Sequence, residues 1–215
     1  MPEAVIFDMD GLIFDSETLY GEALLELARV KGLPNIDLAV ARSMVGRSWT
    51  GSRLVLQALL PAHEDVDEFR SEWLTAYDEL AETRLVMKPG VLELLTLFEQ
   101  SGVSCGMATG SRRSVVSAHL AAHGLTDFFP VIIAAEDCRE GKPAPEPFLK
   151  AAEALGKHPG NCWALEDSVN GVISASAAGM TTFMVPDLIE PDEETAARCT
   201  AVLSSLVELH AWLSR

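Results

Sequence analysis

The chain has 215 residues, of which 48% are hydrophobic, enough for one sizeable core or a core with a small second domain. It carries 32 acidic against 16 basic residues, and the resulting net charge of −16 disfavours nucleic acid as a partner. No apolar run reaches the roughly 18 residues needed to span a bilayer, and the amino terminus has no basic region typical of a signal peptide. We therefore expect a soluble cytoplasmic protein that binds neither nucleic acid nor a membrane.

The chain begins with an apolar run, Ala4–Phe7, that predicts a strand covered on both faces. From Ser16 to about Met87 only helical patterns follow, and Ser16 is the expected N-cap of the first helix. The later helices of this segment are predicted at Ile36–Met44, Thr50–Leu60 and Val66–Arg84. The sequence thus predicts an all-helical domain over residues 16–87, inserted into a core domain of residues 1–15 and 88–215.

After the insertion, strand-like runs alternate with amphipathic helical patterns. The predicted strands are Val103–Ala108, Val131–Ala135, Cys162–Leu165 and Thr181–Val185. The predicted helices are Gly90–Gln100, Ser111–His123, Pro145–Leu155 and Ser168–Ala178. This alternation predicts the α/β class, as a Rossmann-like doubly wound parallel sheet with the helical insertion after its first strand.

Polar residues follow the predicted strands at the edge where a parallel α/β sheet binds its ligands. Two carboxylates only two residues apart end the first strand, although like charges at close range repel and raise a pKa. A fold does not place them there for stability. The residues that the sequence places at this edge are Asp8, Asp10, Thr109, Gly110, Ser111, Lys142, Glu166 and Asp167.

These residue types suit phosphoryl transfer. Carboxylates on separate loops make a site for a hard cation, and Mg²⁺ is the expected cofactor. Lys142 adds positive charge, while Thr109 and the backbone N–H groups near Gly110 and Ser111 can hold phosphate oxygens. One carboxylate can attack phosphorus to form an aspartyl-phosphate, and a second can donate a proton to the leaving oxygen. The predicted partner is a small phosphorylated metabolite.

Four motifs in chain order, FDMDG, MATGS, GKP and LEDSVNG, carry a family resemblance over essentially the whole chain. The sequence resembles the haloacid dehalogenase superfamily of phosphatases. It is similar to the subgroup with a helical cap after the first strand, which includes beta-phosphoglucomutase, 2-deoxyglucose-6-phosphatase and pseudouridine-5'-phosphatase. The resemblance implies an Mg²⁺-dependent enzyme whose residues 16–87 form the cap.

The resemblance also implies a role for each motif residue. Asp8 matches the nucleophile, and Asp10 matches the general acid and base, whose backbone carbonyl also contacts the metal. Thr109 matches the hydroxyl that binds the transferring phosphoryl group, and Lys142 matches the lysine that balances its charge. Asp167 matches a metal ligand. Glu166 matches a second ligand, or orients the site without contacting the metal.

Three further residues are candidates for substrate binding. Arg47 lies between two predicted cap helices, in a region that faces the active site in relatives of this subgroup; the alternative is a surface turn. Arg112 and Asn170 lie beside the phosphate and metal motifs, either in direct contact with substrate or on the surface. The acidic run at 187–194 is expected to be a solvated loop.

The leading functional hypothesis is a phosphomonoester hydrolase that acts on a sugar phosphate or a nucleoside-type phosphate. The alternative is a beta-phosphoglucomutase-type phosphosugar mutase, in which the phosphoryl group passes to a sugar hydroxyl. The mutases have a histidine near the position of Tyr20, and the absence of that histidine here favours hydrolysis. Two other functions are disfavoured: dehalogenases lack the second aspartate, which is Asp10 here, and phospho-acceptor receiver domains lack the cap.

We expect the protein to be a monomer.

Overall fold

The computed structural model describes residues 1–46 and 49–214 of the chain. None of its described helices combines the length and the apolar character needed to cross a membrane. The strands are β1 Ala4–Phe7, β2 Ser104–Ala108, β3 Val131–Ile133, β4 Cys162–Glu166, β5 Thr181–Met184 and β6 Ala201–Val202. The helices are α1 Ser16–Val30, α2 Leu38–Met44, α3 Trp49–Leu59, α4 Val66–Arg84, α5 Val91–Gln100, α6 Arg113–Ala122, α7 Glu146–Ala154, α8 Val169–Ala177, α9 Glu193–Ala196 and α10 Leu206–Leu213.

The six strands form one parallel sheet in the order β3-β2-β1-β4-β5-β6, which confirms the predicted doubly wound α/β class. All four residues of β1 are buried, because β2 and β4 pair with it on either side and helices cover the sheet. Ala4 lies opposite Ser104 on one side and Cys162 on the other. The order of the strands reverses at β1, and this reversal positions the candidate site.

The structure differs from the sequence prediction at the edges of the sheet. Strand β3 ends at Ile133 rather than at Ala135, because residues Ala135–Asp137 form a 3-10 turn. Strand β6 was not predicted, since its two residues carry no periodic pattern; it pairs with β5 by placing Ala201 opposite Phe183. Helices α9 and α10 were not predicted either.

The chain divides into two compact units, one of residues 1–14 and 87 onward, and the other of residues 15–86. The second unit contains α1 to α4 around an apolar core that includes Leu24, Leu56 and Phe69. The indole N–H of Trp73 donates to the carbonyl of Tyr20 at 2.8 Å, so that α4 is tied to α1. This unit therefore has a hydrophobic core of its own.

The predicted N-cap of the first helix was wrong by one residue, and Ser168, the first residue of a predicted helix, is an N-cap. Asp15 is the N-cap of α1, and Ser16 is its first helical residue, fully buried. Ser168 caps α8 as its hydroxyl accepts the backbone N–H of Gly171 at 3.1 Å. The Ser16 prediction failed because a buried serine and a capping serine look the same in the sequence.

The acidic run at 187–194 is an exposed loop over most of its length, as expected, but its two ends differ from the prediction. Helix α9 begins at Glu193, with Asp192 as an N-cap that accepts the backbone N–H of Thr195 at 2.8 Å. The side chain of Asp187 is only 7% exposed and forms an ion pair with Lys88. The charge of the run does not reveal the burial of Asp187, because its ion pair joins residues 99 positions apart.

Candidate active site

The candidate site lies at the carboxyl ends of β1 and β4, where the order of the strands reverses. The backbone N–H of Asp8 donates to the carbonyl of Leu165 at 2.9 Å, so the sheet pairing continues past the end of β1. Open parallel sheets bind ligands at such a switch point, outside the carboxyl ends of the strands. The pairing brings Asp8 close to Glu166 and Asp167, which follow it by more than 150 positions in the chain.

Lys142 forms ion pairs with both Asp8 and Glu166. All three side chains are buried, with exposed fractions of 12%, 9% and 0% for Lys142, Asp8 and Glu166. Burial raises the pKa of the Asp8 carboxyl, and Lys142 opposes part of this rise while Glu166 and Asp10 add to it. Burial lowers the pKa of Lys142, but the two carboxylates outweigh it and keep the lysine charged.

Glu166 has hydrogen-bond partners at both carboxylate oxygens. Oε1 pairs with Lys142, and Oε2 accepts the backbone N–H groups of Asp167 at 3.1 Å and Ser168 at 3.2 Å. The hydroxyl of Ser168 donates to the same oxygen at 3.1 Å. A side chain at Gly171 would overlap this carboxyl group, so the glycine makes room for it. Glu166 is therefore held in one position by the start of α8.

Three carboxylates form the cluster best suited to a cation. Asp8, Glu166 and Asp167 are all buried, and one oxygen of each lies within 4.8 Å of the others. Oxygen ligands of this kind fit Mg²⁺ better than a soft metal. Negative charge at this density, with one lysine between two of the carboxylates, is consistent with a bound divalent cation.

Asp10 has a different environment from Asp8. Its Oδ2 accepts a hydrogen bond from the Ser111 hydroxyl at 2.6 Å. The two carboxylates of the FDMDG motif therefore have separate partners, a lysine for Asp8 and a hydroxyl for Asp10. Such separate environments allow two neighbouring carboxyl groups to take different chemical roles.

Thr109 follows β2 and is buried, and its backbone N–H donates to the carbonyl of Ile133 at 3.0 Å. Its hydroxyl oxygen accepts the backbone N–H of Ser111 at 3.0 Å, a local turn that orients both hydroxyls. Gly110 is exposed, and a Cβ there would meet nothing within 4 Å. The exposed side of this turn therefore has room for a ligand beside Thr109.

The segment before Lys142 is held by Glu146, a residue to which the sequence analysis gave no role. Its two oxygens accept the backbone N–H groups of Arg139 at 3.1 Å and Glu140 at 3.0 Å. The Lys150 ammonium, followed by these N–H donors, lowers the pKa of Glu146 to about 2. The first turn of α7 thereby fixes the loop that carries Lys142.

Not all the predicted site residues are brought together in this way. Arg112 is exposed at the N-cap of α6, and Asn170 is half-buried in the first turn of α8. Arg47 lies outside the described residues. Asp187 was not predicted as a site residue, although this aspartate closely follows β5 at the same edge of the sheet. The rule that found the other carboxylates at strand ends could have found it too.

A doubly wound parallel sheet with buried carboxylates and a lysine at its switch point is the architecture of an α/β enzyme. Residues 2–179 match the family model described as haloacid dehalogenase-like hydrolase, so the chain belongs to that family. The match confirms the resemblance drawn from the four motifs, and the chain is a hydrolase.

Named relatives span nearly the whole chain. Hexitol phosphatase B of Escherichia coli (strain K12) is 34% identical over 221 residues, covering 97% of this chain and 94% of the relative. The crystal structure of CbbY from Rhodobacter sphaeroides in complex with phosphate matches with a TM-score of 0.83 and 27% identity, covering 97% and 96% of the two chains. That of beta-phosphoglucomutase from Clostridium difficile matches with a TM-score of 0.78 and 25% identity, covering 100% of both.

Proposed function

We propose that the protein is an Mg²⁺-dependent phosphomonoester hydrolase that acts on a small phosphorylated metabolite through an aspartyl-phosphate. The observation that carries the proposal is the pair of carboxylates with different partners. Asp8 lies against Lys142 within the acidic cluster, while Asp10 accepts a hydrogen bond from Ser111. A nucleophile and a proton donor need different surroundings, because one has to be ionised while the other carries a proton. Lys142, which opposes the rise of the Asp8 pKa, and a bound cation would both favour the ionised form of Asp8.

The residues that would hold Mg²⁺ are Asp8, Asp167 and the backbone carbonyl of Asp10. The carboxylate of Glu166 lies in the same cluster, but its oxygens already have protein partners. We therefore assign Glu166 the alternative role, that of orienting Lys142 and the start of α8. Bound Mg²⁺ would supply positive charge that offsets the carboxylates and polarises the phosphate ester.

In the proposed first step, an oxygen of Asp8 attacks phosphorus and the bond from phosphorus to the leaving oxygen breaks. Asp10 gives its proton to that oxygen, which leaves as an alcohol. In the second step Asp10 takes a proton from water as the water attacks phosphorus, and Asp8 is released with inorganic phosphate. Lys142 and the Thr109 hydroxyl stabilise the negative charge on the phosphoryl oxygens.

Further contacts to the phosphate are proposed for the turn after β2. The backbone of Gly110 and Ser111 borders the open space beside Thr109, although the Ser111 N–H is already bonded to the threonine oxygen. Arg112 and Asn170 stay candidates for substrate contacts on their position alone. We propose that the helical segment of residues 16–87 acts as the cap that selects the substrate, and that the protein acts as a monomer.

Hydrolysis is favoured over transfer to a second sugar hydroxyl. The ring of Tyr20, at the position where the mutases have histidine, stacks on Tyr77 with centroids 3.6 Å apart and planes 2° apart. It also meets Trp73 edge to face at 6.2 Å, so its role is packing within the helical unit. The name of the hexitol phosphatase supports a phosphorylated sugar or polyol as substrate. The similarity to beta-phosphoglucomutase keeps the mutase as the second candidate.

The test is the release of inorganic phosphate from a panel of phosphorylated metabolites, with Mg²⁺ and with a chelator. The panel contains hexose, hexitol and pentose phosphates and nucleoside monophosphates, and Asp8→Asn serves as the inactive control. We expect release that requires both Mg²⁺ and Asp8. Release by Asp8→Asn at the wild-type rate would contradict the nucleophile assignment. Conversion of beta-glucose-1-phosphate to glucose-6-phosphate without phosphate release would support the mutase instead.

A further inference from the structure

Asp187 lies beside the proposed metal site, yet the mechanism above gives it no role. It closely follows β5, at the same edge of the sheet as the other carboxylates. The backbone N–H of Val185 donates to the carbonyl of Glu166 at 2.7 Å, which holds this loop against the end of β4. The side chain of Asp187 is 7% exposed, so its charge lies almost entirely out of contact with solvent.

The two oxygens of this carboxylate have different environments. Oδ1 forms an ion pair with the ammonium group of Lys88. Oδ2 is buried and accepts no hydrogen bond from any part of the chain that the structure describes. A buried carboxylate oxygen without a donor has lost its hydration without compensation, which proteins rarely tolerate. The absence of a donor indicates that Oδ2 contacts a hydrogen-bond donor or a cation that the polypeptide itself does not provide.

The free oxygen lies close to one carboxylate of the metal cluster. Gly11 follows Asp10 and has a φ of +77°. A Cβ at Gly11 would overlap Oδ2 of Asp167 and would lie 3.2 Å from Oδ2 of Asp187. The two carboxylates thus approach the same side of the Gly11 backbone, and Asp167 is one of the three clustered carboxylates.

Lys88 neutralises Asp187 from one side only. Its own backbone N–H donates to the carbonyl of Ile13 at 2.8 Å, which fixes this residue beside the loop after β1. The ammonium group pairs with Oδ1 of Asp187, so Oδ2 has no donor among the described residues although it lies near Oδ2 of Asp167. Two carboxylate oxygens that lie close together repel unless a hydrogen-bond donor or a cation lies between them.

We propose that Oδ2 of Asp187 accepts a hydrogen bond from the hydration shell of the divalent cation held by Asp8 and Asp167. This inference rests on the proposed function, in which that cation is Mg²⁺. Mg²⁺ in proteins usually keeps several of its water molecules, and these need acceptors. Asp187 is then a positioning residue that fixes the cation without binding it directly, through Oδ2, while Lys88 contacts only the other oxygen, Oδ1.

The test measures Mg²⁺ affinity by calorimetric titration of metal-stripped protein without substrate. We expect Asp187→Asn to raise the Kd for Mg²⁺ by about 10- to 100-fold, the usual cost of losing an outer-shell partner. Lys88→Met keeps the carboxylate and removes a positive charge, so its Kd should equal or fall below that of the wild type. Asp192→Asn makes the same change at an exposed helix cap, where asparagine serves equally well, and should leave the Kd unchanged.

The two substitutions at the ion pair separate the proposal from a purely structural role. If Asp187→Asn and Lys88→Met weaken Mg²⁺ binding equally, Asp187 acts only through its lysine and the proposal is wrong. Wild-type affinity in Asp187→Asn would contradict it as well. Should the single variant not fold, the double variant Lys88→Met with Asp187→Asn leaves no lone buried charge and should show the same weakened binding. Absence of Mg²⁺ binding by the wild type would instead overturn the proposed metal dependence, and this inference with it.

Discussion

The hydroxyl of Ser111 lies 2.6 Å from Oδ2 of Asp10, although the two residues are 101 positions apart in the chain. The bond joins the turn after β2 to the loop after β1. Its effect is to orient the Asp10 carboxyl independently of Lys142, which pairs with Asp8. Ser111, predicted as a phosphate-binding residue, is therefore also placed to position the proposed acid and base.

Replacing Ser111 with alanine should lower kcat by about 10- to 100-fold, because a hydrogen bond to a charged group contributes about 1.5–3 kcal/mol. KM should change little, since the substitution removes a contact to Asp10 and leaves the backbone N–H groups of the turn in place. The measurement is steady-state phosphate release over a range of substrate concentrations, which separates kcat from KM. Ser111→Thr keeps the hydroxyl and should retain most activity. A raised KM with unchanged kcat would instead indicate that the hydroxyl binds phosphate.

Replacing Lys142 with methionine should destabilise the metal-free protein by about 3–5 kcal/mol, because two buried carboxylates lose their shared cation. Methionine keeps an unbranched apolar chain near Phe148, whose ring centroid lies 5.1 Å from the lysine nitrogen. The measurement is urea unfolding with and without Mg²⁺, and Mg²⁺ should restore part of the loss. Lys157→Met removes a more exposed pair with Glu3 and should cost less than about 1 kcal/mol. Equal losses in the two variants would contradict the central role of Lys142.

Two helical glycines should respond in opposite directions to replacement by alanine. Gly171→Ala places a methyl group on the Glu166 carboxyl, which has no free space, and should cost about 1–3 kcal/mol. Gly21→Ala lies within α1, where the nearest atom would be 4.0 Å away, and should stabilise by up to about 1 kcal/mol. Urea unfolding of both variants tests this. A gain of stability in Gly171→Ala would mean that Glu166 is free to move.

Replacing Glu146 with glutamine should lower stability in a pH-dependent manner. The pKa of Glu146 in the folded chain is about 2, against an ordinary value of 4.5, owing first to Lys150 and then to two backbone N–H donors. A depressed pKa means that the stabilisation is complete above about pH 4.5 and is lost as the pH falls toward 2. The difference in unfolding free energy between wild type and variant should therefore be constant above pH 5 and shrink below it.

The control for this prediction is Glu153→Gln, a change of the same kind at an exposed position of the same helix. It should give a small difference that does not follow the same pH course. Since Glu146 fixes the loop before Lys142, the variant at 146 should also lose several-fold in kcat at neutral pH. Unchanged activity would indicate that Lys142 is held by Asp8 and Glu166 alone.

The parallel sheet could be predicted because β1, β2 and β4 are continuous apolar runs, as strands buried on both faces must be. Short elements escaped the prediction. Strand β6 has two residues and α9 has four, too few for a periodic pattern to develop. The position of an N-cap was also uncertain by one residue at α1, because Asp15 and Ser16 both have side chains that can cap a helix.

The sequence by itself determined the family, the class of the fold and the edge of the sheet where Asp8, Lys142 and Asp167 would meet. It could do so because polar residues that follow apolar strands must gather at one end of a parallel sheet. Only the tertiary structure decided which atoms pair there. Asp187 and Lys88 are 99 positions apart, so nothing in the acidic run itself indicates that its first carboxylate is buried. Such pairings depend on loop conformations set by packing far along the chain, which local patterns do not encode.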